Sequence, residues 1–446
     1  MKRVAVFDEV RRYVAGIDLA GAADHYVCGP RNEDGSHDVE HFGTTTPELQ
    51  RMLAWLKERK VESVAMESTS VFWVPVWDVL EAGGIEVRLV DTREVRMVPG
   101  RKSDIKDCQW LQRLHSSGLL RGCFRPPEKY NAIRSVMRER ENVLTTRTQA
   151  IQGIQKSCDQ MNIRIHHAVS DIDGLTGMRM LEAIVKGERN PRELAKLRDR
   201  RCKKTEAEIA EELTGNWRDE HLFTLKQAYQ HLVFLNDMLE SFDCKIKEMF
   251  AALANESGKP NPPTAPKKKQ KTDAKALYDL AKLAGFDMTS IDGISFGTAA
   301  GILSELGTDL SMFPTESHFV SYIGLAPPLA KSAGKNVRTK KKHRNTHPVG
   351  QMLKNSASSL YRSKSALGAL YRCTRSRSCT AFAVMATARQ MAKYIYRGMK
   401  YGSAYLDIGE KQYEEQWRAR TIKSVKSKIQ KLSISAEELG FLQLAC

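Results

Sequence analysis

Four carboxylates in the first quarter of the chain have the types and spacing of a divalent-cation site. Asp18 closes an apolar run in GIDLA, Glu67 closes the run ESVAME, and Asp104 and Asp107 stand three residues apart in KSDIKD. Acids at the ends of neighbouring strands can converge with an i, i+3 pair on one face of a helix start. Like charges held that close repel unless a cation sits among them, and an all-oxygen set suits a hard ion, Mg2+ or Mn2+. Two such ions about 4 Å apart would clamp a phosphodiester in line, stabilising the attacking and leaving oxygens. Each acid alone has an ordinary reading as a turn residue, or, for Asp104, as a helix N-cap. The set of four, in this order, points to metal chemistry.

A second feature lies far downstream. Residues 325–345, LAPPLAKSAGKNVRTKKKHRN, hold one serine, Ser332, among seven lysines and arginines and no carboxylate. Lys331, Lys335, Arg338, Lys340, Lys341, Lys342 and Arg344 are suited to phosphate, and Gly334 would let the backbone approach it closely. His343 and His347 could act as a base or, better, contact phosphate. From 317 to 406 there is no Asp or Glu, and residues 331–400 carry 17 Lys and Arg, matching the +17 net charge of the whole chain. Such a surface repels itself unless an anion covers it, so a nucleic-acid partner is expected. A merely solvated face would mix both signs. Taken alone, Ser332 is either a nucleophile or an incidental part of a phosphate-gripping loop.

These residues need elements to position them. Residues 14–19 read as a strand, a Gly-containing turn and second strand follow, and TTTPELQRMLAWLKERK opens a helix with Thr46 as N-cap and Pro47 at its first position. ESVAME is a strand, VFWVPVWDVLEAGG a helix closed by Gly83 and Gly84, and IEVRLVD another strand, so the first unit is an α/β layer with a mixed sheet. From Tyr130 the pattern turns to long helices. Met137, Leu144, Ile151 and Cys158 recur every seven residues, and Leu222, Leu225, Tyr229, Leu232, Leu235 and Leu239 step by threes and fours. Both fit coiled-coil seams, which could pair as an antiparallel arm within one chain or between chains. Residues 256–273, rich in Pro and Lys, read as a linker. IDGISFGTAAGILSELG has the small-residue turn of a helix-hairpin-helix, which offers backbone N–H groups to phosphate.

Composition narrows the class. The chain has 446 residues, 41% of them hydrophobic, enough for two or three packed domains. No apolar run reaches the roughly 20 residues that span a bilayer, and no secretory leader opens the chain, so no membrane partner and a cytoplasmic location are expected. Nine cysteines without a CxxC pair give neither a disulfide framework nor a zinc pattern. No GxxxxGK[ST] loop marks an ATPase.

With GIDLA, AMEST and KSDIKD supplying an Asp-Glu-Asp-Asp set, the first unit resembles the RNase H-like nuclease fold of RuvC. In order, these motifs and the later IDGISFGTAAGILSELG, FVSYIGLAPPLAKSAGKN and basic stretch resemble the insertion-sequence-110 (DEDD) transposases, whose relatives include a site-specific DNA invertase. That resemblance implies a RuvC-like α/β domain over 1–128, a coiled-coil connector and linker over 129–273, and a mainly α-helical transposase domain over 274–446. It implies that Ser332 attacks DNA and leaves a covalent phosphoserine link. Family members show Ser, a small residue and Gly at this point. Here these are Ser332, Ala333 and Gly334, so no second hydroxyl shares the role. Activation would come from the metal site, from the same chain or another protomer. A structured non-coding RNA pairing with donor and target DNA, and a dimer or tetramer, are also implied. The competing readings are a RuvC-like metal-dependent nuclease with no covalent step, and a binding protein with no activity.

Overall fold

The computed structural model describes residues 9–21, 23–68, 70–91, 104–120, 122–258, 273–326, 330–332, 335–337, 347–402 and 408–432, with backbone alone at 104, 105, 330–332, 335–337, 428, 431 and 432. It divides into two compact units, Met1–Arg125 and Pro126–Cys446.

The first unit runs β1 (Val14–Asp18), β2 (His25–Arg31), β3 (His37–Phe42), α1 (Thr46–Glu58), β4 (Ser63–Glu67), α2 (Trp73–Ala82), β5 (Glu86–Val90) and α3 (Asp104–Ser116). The strands form one sheet in the order β3-β2-β1-β4-β5. β1 to β3 form an antiparallel meander, whereas β4 and β5 join parallel to β1. Short hairpin connections make the antiparallel half; the helical crossovers α1 and α2 make the parallel half.

Alternation along the central strands sorts the layers. Ala15, Ile17, Val64 and Met66 bury against Leu49, Met52 and Leu56 of α1 and Val76 and Leu80 of α2. The N-cap of α1 is Thr45, one residue before the expected Thr46, and Leu49 N–H donates to its carbonyl. Glu48 then accepts from the Gly43 N–H and pairs with Arg51 at 2.8 Å.

The opposite face is covered by α3 alone among the described helices. Leu111 and Leu114 pack with Ala65 and Val90. At Gly16 the helix backbone lies directly on the strand: a Cβ there would stand 2.3 Å from Gln112 N and 2.4 Å from the Cys108 carbonyl. Ser63 Oγ and His115 Nε2 share a buried hydrogen bond of 3.0 Å at the far end. Burial, then the charges of Arg88 and Arg11, push the His115 pKa down to about 4. The imidazole is therefore neutral at neutral pH.

In the second unit, α4 (Glu128–Gln160) is followed by four short helices, α5 (Ile165–Ala168), α6 (Leu175–Val185), α7 (Pro191–Lys196) and α8 (Glu206–Glu212), and then by α9 (Asp219–Glu256). α4 and α9 pack antiparallel within the chain. Arg140 pairs with Asp243, Arg147 donates to Asn236 at 2.7 Å, and Ser157 meets Thr224 at 3.1 Å. Of the seven-residue series on α4 only Cys158 is fully buried here, with Leu144 and Ile151 partly buried; Val143, Ala150 and Ile154, outside that series, bury with Leu225, Leu232, Leu235 and Leu239, and the short helices close over this end.

The other ends of both long helices are built into a second core, with α10 (Ala274–Ala284), α11 (Phe296–Leu306), α12 (Glu316–Tyr322), α13 (Pro348–Ser359), α14 (Ala366–Arg377) and α15 (Thr380–Tyr401). A 3-10 turn, Met288–Ser290, joins α10 to α11, and Ser295 Oγ caps α11 by accepting from the Thr298 N–H at 3.2 Å. The strands β6 (Ala330–Ser332) and β7 (Lys335–Val337) form a hairpin between α12 and α13, and α16 (Gly409–Leu432) follows α15. The buried Glu305 of α11 receives both arms of Arg138 from α4, each at 3.1 Å, with Arg134 at 3.9 Å. Removing one partner from such a pair leaves a buried charge uncompensated, so it fixes how α11 sits on α4. No helix among the described residues is long and apolar enough to cross a membrane.

Two outcomes are expected. Gly16→Ala forces α3 off the sheet and costs at least about 1–3 kcal/mol, read as a lower denaturant midpoint. For His115, the unfolded chain takes up a proton below pH 6.5 that the folded chain refuses until about pH 4. Stability is thus present in full above pH 6.5 and falls as the pH drops through that window, by on the order of 3 kcal/mol. His115→Gln keeps a partner for Ser63 without titrating, and its denaturation profile is flatter over the same window.

Candidate functional site

Asp18 and Glu67 are the last residues of β1 and β4, and both are half-buried. The strands pair in parallel with Ile17 opposite Met66, so the next residues along, Asp18 and Glu67, end side by side. Gly16 and Ala65 face α3, and the two-residue period of a strand places both carboxylates on that same face. α3 runs antiparallel to these strands. His115 lies at Ser63 and Leu111 at Ala65, so one more turn brings Asp107 toward the level of Glu67. Asp104 starts the helix one turn earlier still; its side chain lies outside the described residues.

Electrostatics support the convergence. The Cys108 thiol is pushed up to about 12, first by burial, and the charges of Asp18 and Asp107 both add to the shift. Two acids from different elements therefore act on one buried atom. Cys108 stays protonated and offers no thiolate, which leaves an oxygen-only donor set of the kind a hard divalent cation takes. One oxygen of Asp107 is shielded from solvent. Among the described side chains, no three His, Cys, Asp or Glu lie close enough together to hold a metal ion, so Asp18, Glu67 and Asp107 share one edge of the sheet without forming a closed ligand cage, and the Asp104 side chain lies outside the described residues.

Ser332 closes β6. It pairs with Lys335 across residues 333 and 334, with Lys331 opposite Asn336. It therefore sits at the last paired position before the tip of a hairpin. The side chains of Lys331, Ser332 and Lys335 lie outside the described residues, as do Gly334, Arg338, Lys340, Lys341, Lys342, His343 and Arg344 altogether. Where the basic segment leaves α12 and enters α13, its neck is closed by two rings. Tyr322 and His347 meet with centroids 4.9 Å apart, and His347 Nδ1 accepts the Val349 N–H at 3.2 Å as the α13 cap. Burial, with Arg138 and Arg134 nearby, pushes its pKa down to about 4. His347 is thus a neutral helix cap and a weak base.

The acid-free stretch is less free than its sequence suggests. Lys393 and Arg397 pair with Glu316, at 3.0 and 2.9 Å, and Arg372 pairs with Glu410. Lys400 donates to the Phe313 carbonyl at 2.9 Å, and Arg375 and Arg377 lie over Tyr361 and Trp417. Among the described cations of this stretch, Lys354, Arg362, Lys364 and Arg389 have no such partner, and the Arg389 Nε is buried. Linear composition cannot show this, because Glu316 and Glu410 lie just outside the stretch and fold back onto it. Sequence reasoning also missed Gly16. Its one signal was a glycine in the middle of a fully buried strand, which marks close backbone approach.

A transposase model of the DEDD, IS110 type matches residues 15–163, and a model described as Transposase IS116/IS110/IS902 family matches residues 287–372. The first takes in Asp18, Glu67, Asp104 and Asp107, the second Ser332 and the basic segment. No curated protein matches the chain. DEDD transposases usually use divalent metal ions, which agrees with the oxygen-only donor set. Carboxylates at paired strand ends under a helix, and a basic serine hairpin on a helical unit, fall within two models of one family that together take in more than half of the residues; the chain belongs to the IS110 family of transposases, enzymes that act on DNA in transposition and recombination.

Proposed function

We propose that this transposase cuts and exchanges DNA strands through a covalent phosphoserine intermediate, with Ser332 as nucleophile and Asp18, Glu67, Asp104 and Asp107 as holders of Mg2+ or Mn2+. The observation that carries the metal half is the side-by-side ending of β1 and β4 beneath α3. The strand order β3-β2-β1-β4-β5, antiparallel then parallel, favours an RNase H-like reading of that unit. Bound there, a divalent ion supplies neutralisation of phosphate charge.

Ser332 Oγ forms the new bond to phosphorus, and the bond to one deoxyribose oxygen breaks. The hydroxyl proton leaves Ser332, and a proton ends on the released deoxyribose hydroxyl. Lys331, Lys335 and Arg338 would steady the charge on the phosphoryl oxygens. The last paired position of a hairpin suits a nucleophile that must meet DNA, and Tyr322 and His347 stack where the chain leaves α12 and enters α13. Because the ester keeps the phosphodiester energy, the reverse attack by another strand's hydroxyl reseals DNA without ATP. The turn before α11 would add backbone N–H groups to phosphate. A structured guide RNA and assembly into a dimer or tetramer are part of the same proposal. The excess of positive charge supports a large polyanionic load without telling RNA from DNA.

Suicide DNA substrates with Mg2+, run on a denaturing gel, test the step. Wild type is expected to give a protein–DNA adduct mapping to Ser332, and Ser332→Ala none, while DNA binding changes less than about twofold. Asp18→Asn is expected to lose cleavage by at least about a hundredfold. Strand cleavage persisting in Ser332→Ala would sink the covalent step in favour of a water-using nuclease.

A further inference from the structure

The loop that follows Glu67 carries apolar side chains that the carboxylate chemistry does not use. Val71 is 68% exposed and Phe72 40% exposed, although they stand four and five residues after Glu67, in the loop that leaves the acidic end of β4 and starts α2. The turn that carries the pair is strained: Ser70, a non-glycine residue, is held in the left-handed region at φ 51.

The pair is also held rigidly. The Phe72 ring lies on Gly21, three residues after Asp18, so closely that a Cβ there would stand 2.4 Å from its Cζ. Ala20 N–H donates to His25 Nδ1 at 3.1 Å, pinning the Asp18 loop. Trp73 Nε1 donates to the Ser70 carbonyl at 3.1 Å, and Ser68 N–H donates to the Val90 carbonyl at 3.0 Å, pinning the Glu67 loop. One exposed aromatic ring thus bridges the loops that leave both acidic strand ends.

We propose that Phe72, with Val71 beside it, is a platform for an unstacked nucleobase of the DNA strand being processed. This rests on the reading that Asp18 and Glu67 hold a phosphodiester of that strand. A scissile phosphate at these carboxylates leaves the attached base near the same edge of the sheet, the loops that follow β1 and β4, where a ring fixed in advance on Gly21 loses little freedom on stacking. The occupant is a base rather than an apolar protein segment, because the strongly cationic chain and the adjacent acidic metal face both call for a nucleic-acid strand. Any base has a π-face, so this contact is sequence-tolerant.

The test uses the full chain with Mg2+ and a single-stranded oligo(dT) 30-mer carrying 5-iododeoxyuridine. Irradiation should yield a crosslinked peptide mapping to Phe72. Phe72→Ala should abolish that crosslink and weaken oligo(dT) binding by ~10-fold, with the slope of affinity against salt unchanged because no phosphate contact is lost. Phe72→Trp should restore both, and Gly21→Ala, which displaces the ring without removing it, should behave like Phe72→Ala. Crosslinks only elsewhere, with Phe72→Ala binding as wild type, would overturn the platform. Failure of the carboxylate reading looks different: Asp18→Asn would still cleave suicide DNA, whatever Phe72 does.

Discussion

The contact on which the first unit depends is the absence of a side chain at Gly16. The backbone of α3 rests on β1 there, at a distance no Cβ tolerates. That approach sets the height of the helix above the sheet. Its register along the strands is fixed by Leu111 over Ala65 and by His115 on Ser63. With height and register fixed, the first turn of α3 has one place to go, over the carboxyl ends of β1 and β4. Mutually repelling carboxylates cannot assemble themselves; the apolar and backbone packing below them supplies the positioning, and a divalent cation would supply the compensating charge.

The second unit solves a related problem with charge of the opposite sign. Its densest cationic stretch contains no acid in sequence, yet Glu316 and Glu410 return to it in space and neutralise the part nearest the core. What remains for a polyanion is concentrated at the basic segment, whose ends are drawn together by Tyr322 and His347. Glu305 does the inverse job between α4 and α11, a lone buried acid between arginines. In both places ion pairs between distant segments help fix how the helices sit.

Much of this was legible in the sequence, and the boundary is physical. Period-two and period-3.6 patterns place the strands of the first sheet and the helices on it, and they put Asp18 and Glu67 at strand ends. Heptad spacing finds α4 and α9 but leaves open whether they pair within a chain; the antiparallel contacts of Arg140 with Asp243 and Ser157 with Thr224 answer that for this chain. The cap of α1 fell one residue early because three threonines precede Pro47 and each suits a cap. Gly16, Gly21 and Phe72 were opaque. Their meaning lies in close approach between segments distant in sequence, which no local pattern encodes. The place of His347 was opaque for the same reason: its Tyr322 ring contact and the nearby Arg138 and Arg134 come from segments that its local sequence does not reveal.

On the proposed reading, three separate stretches of the first unit hold one bound cation. Fe2+ substituted for Mg2+, with ascorbate and peroxide, cuts the backbone beside the bound ion. The account predicts cuts confined to the neighbourhoods of residues 18, 67 and 104–107, suppressed together by excess Mg2+. Cuts at only one of these stretches, or at sites that Mg2+ does not protect, would contradict it.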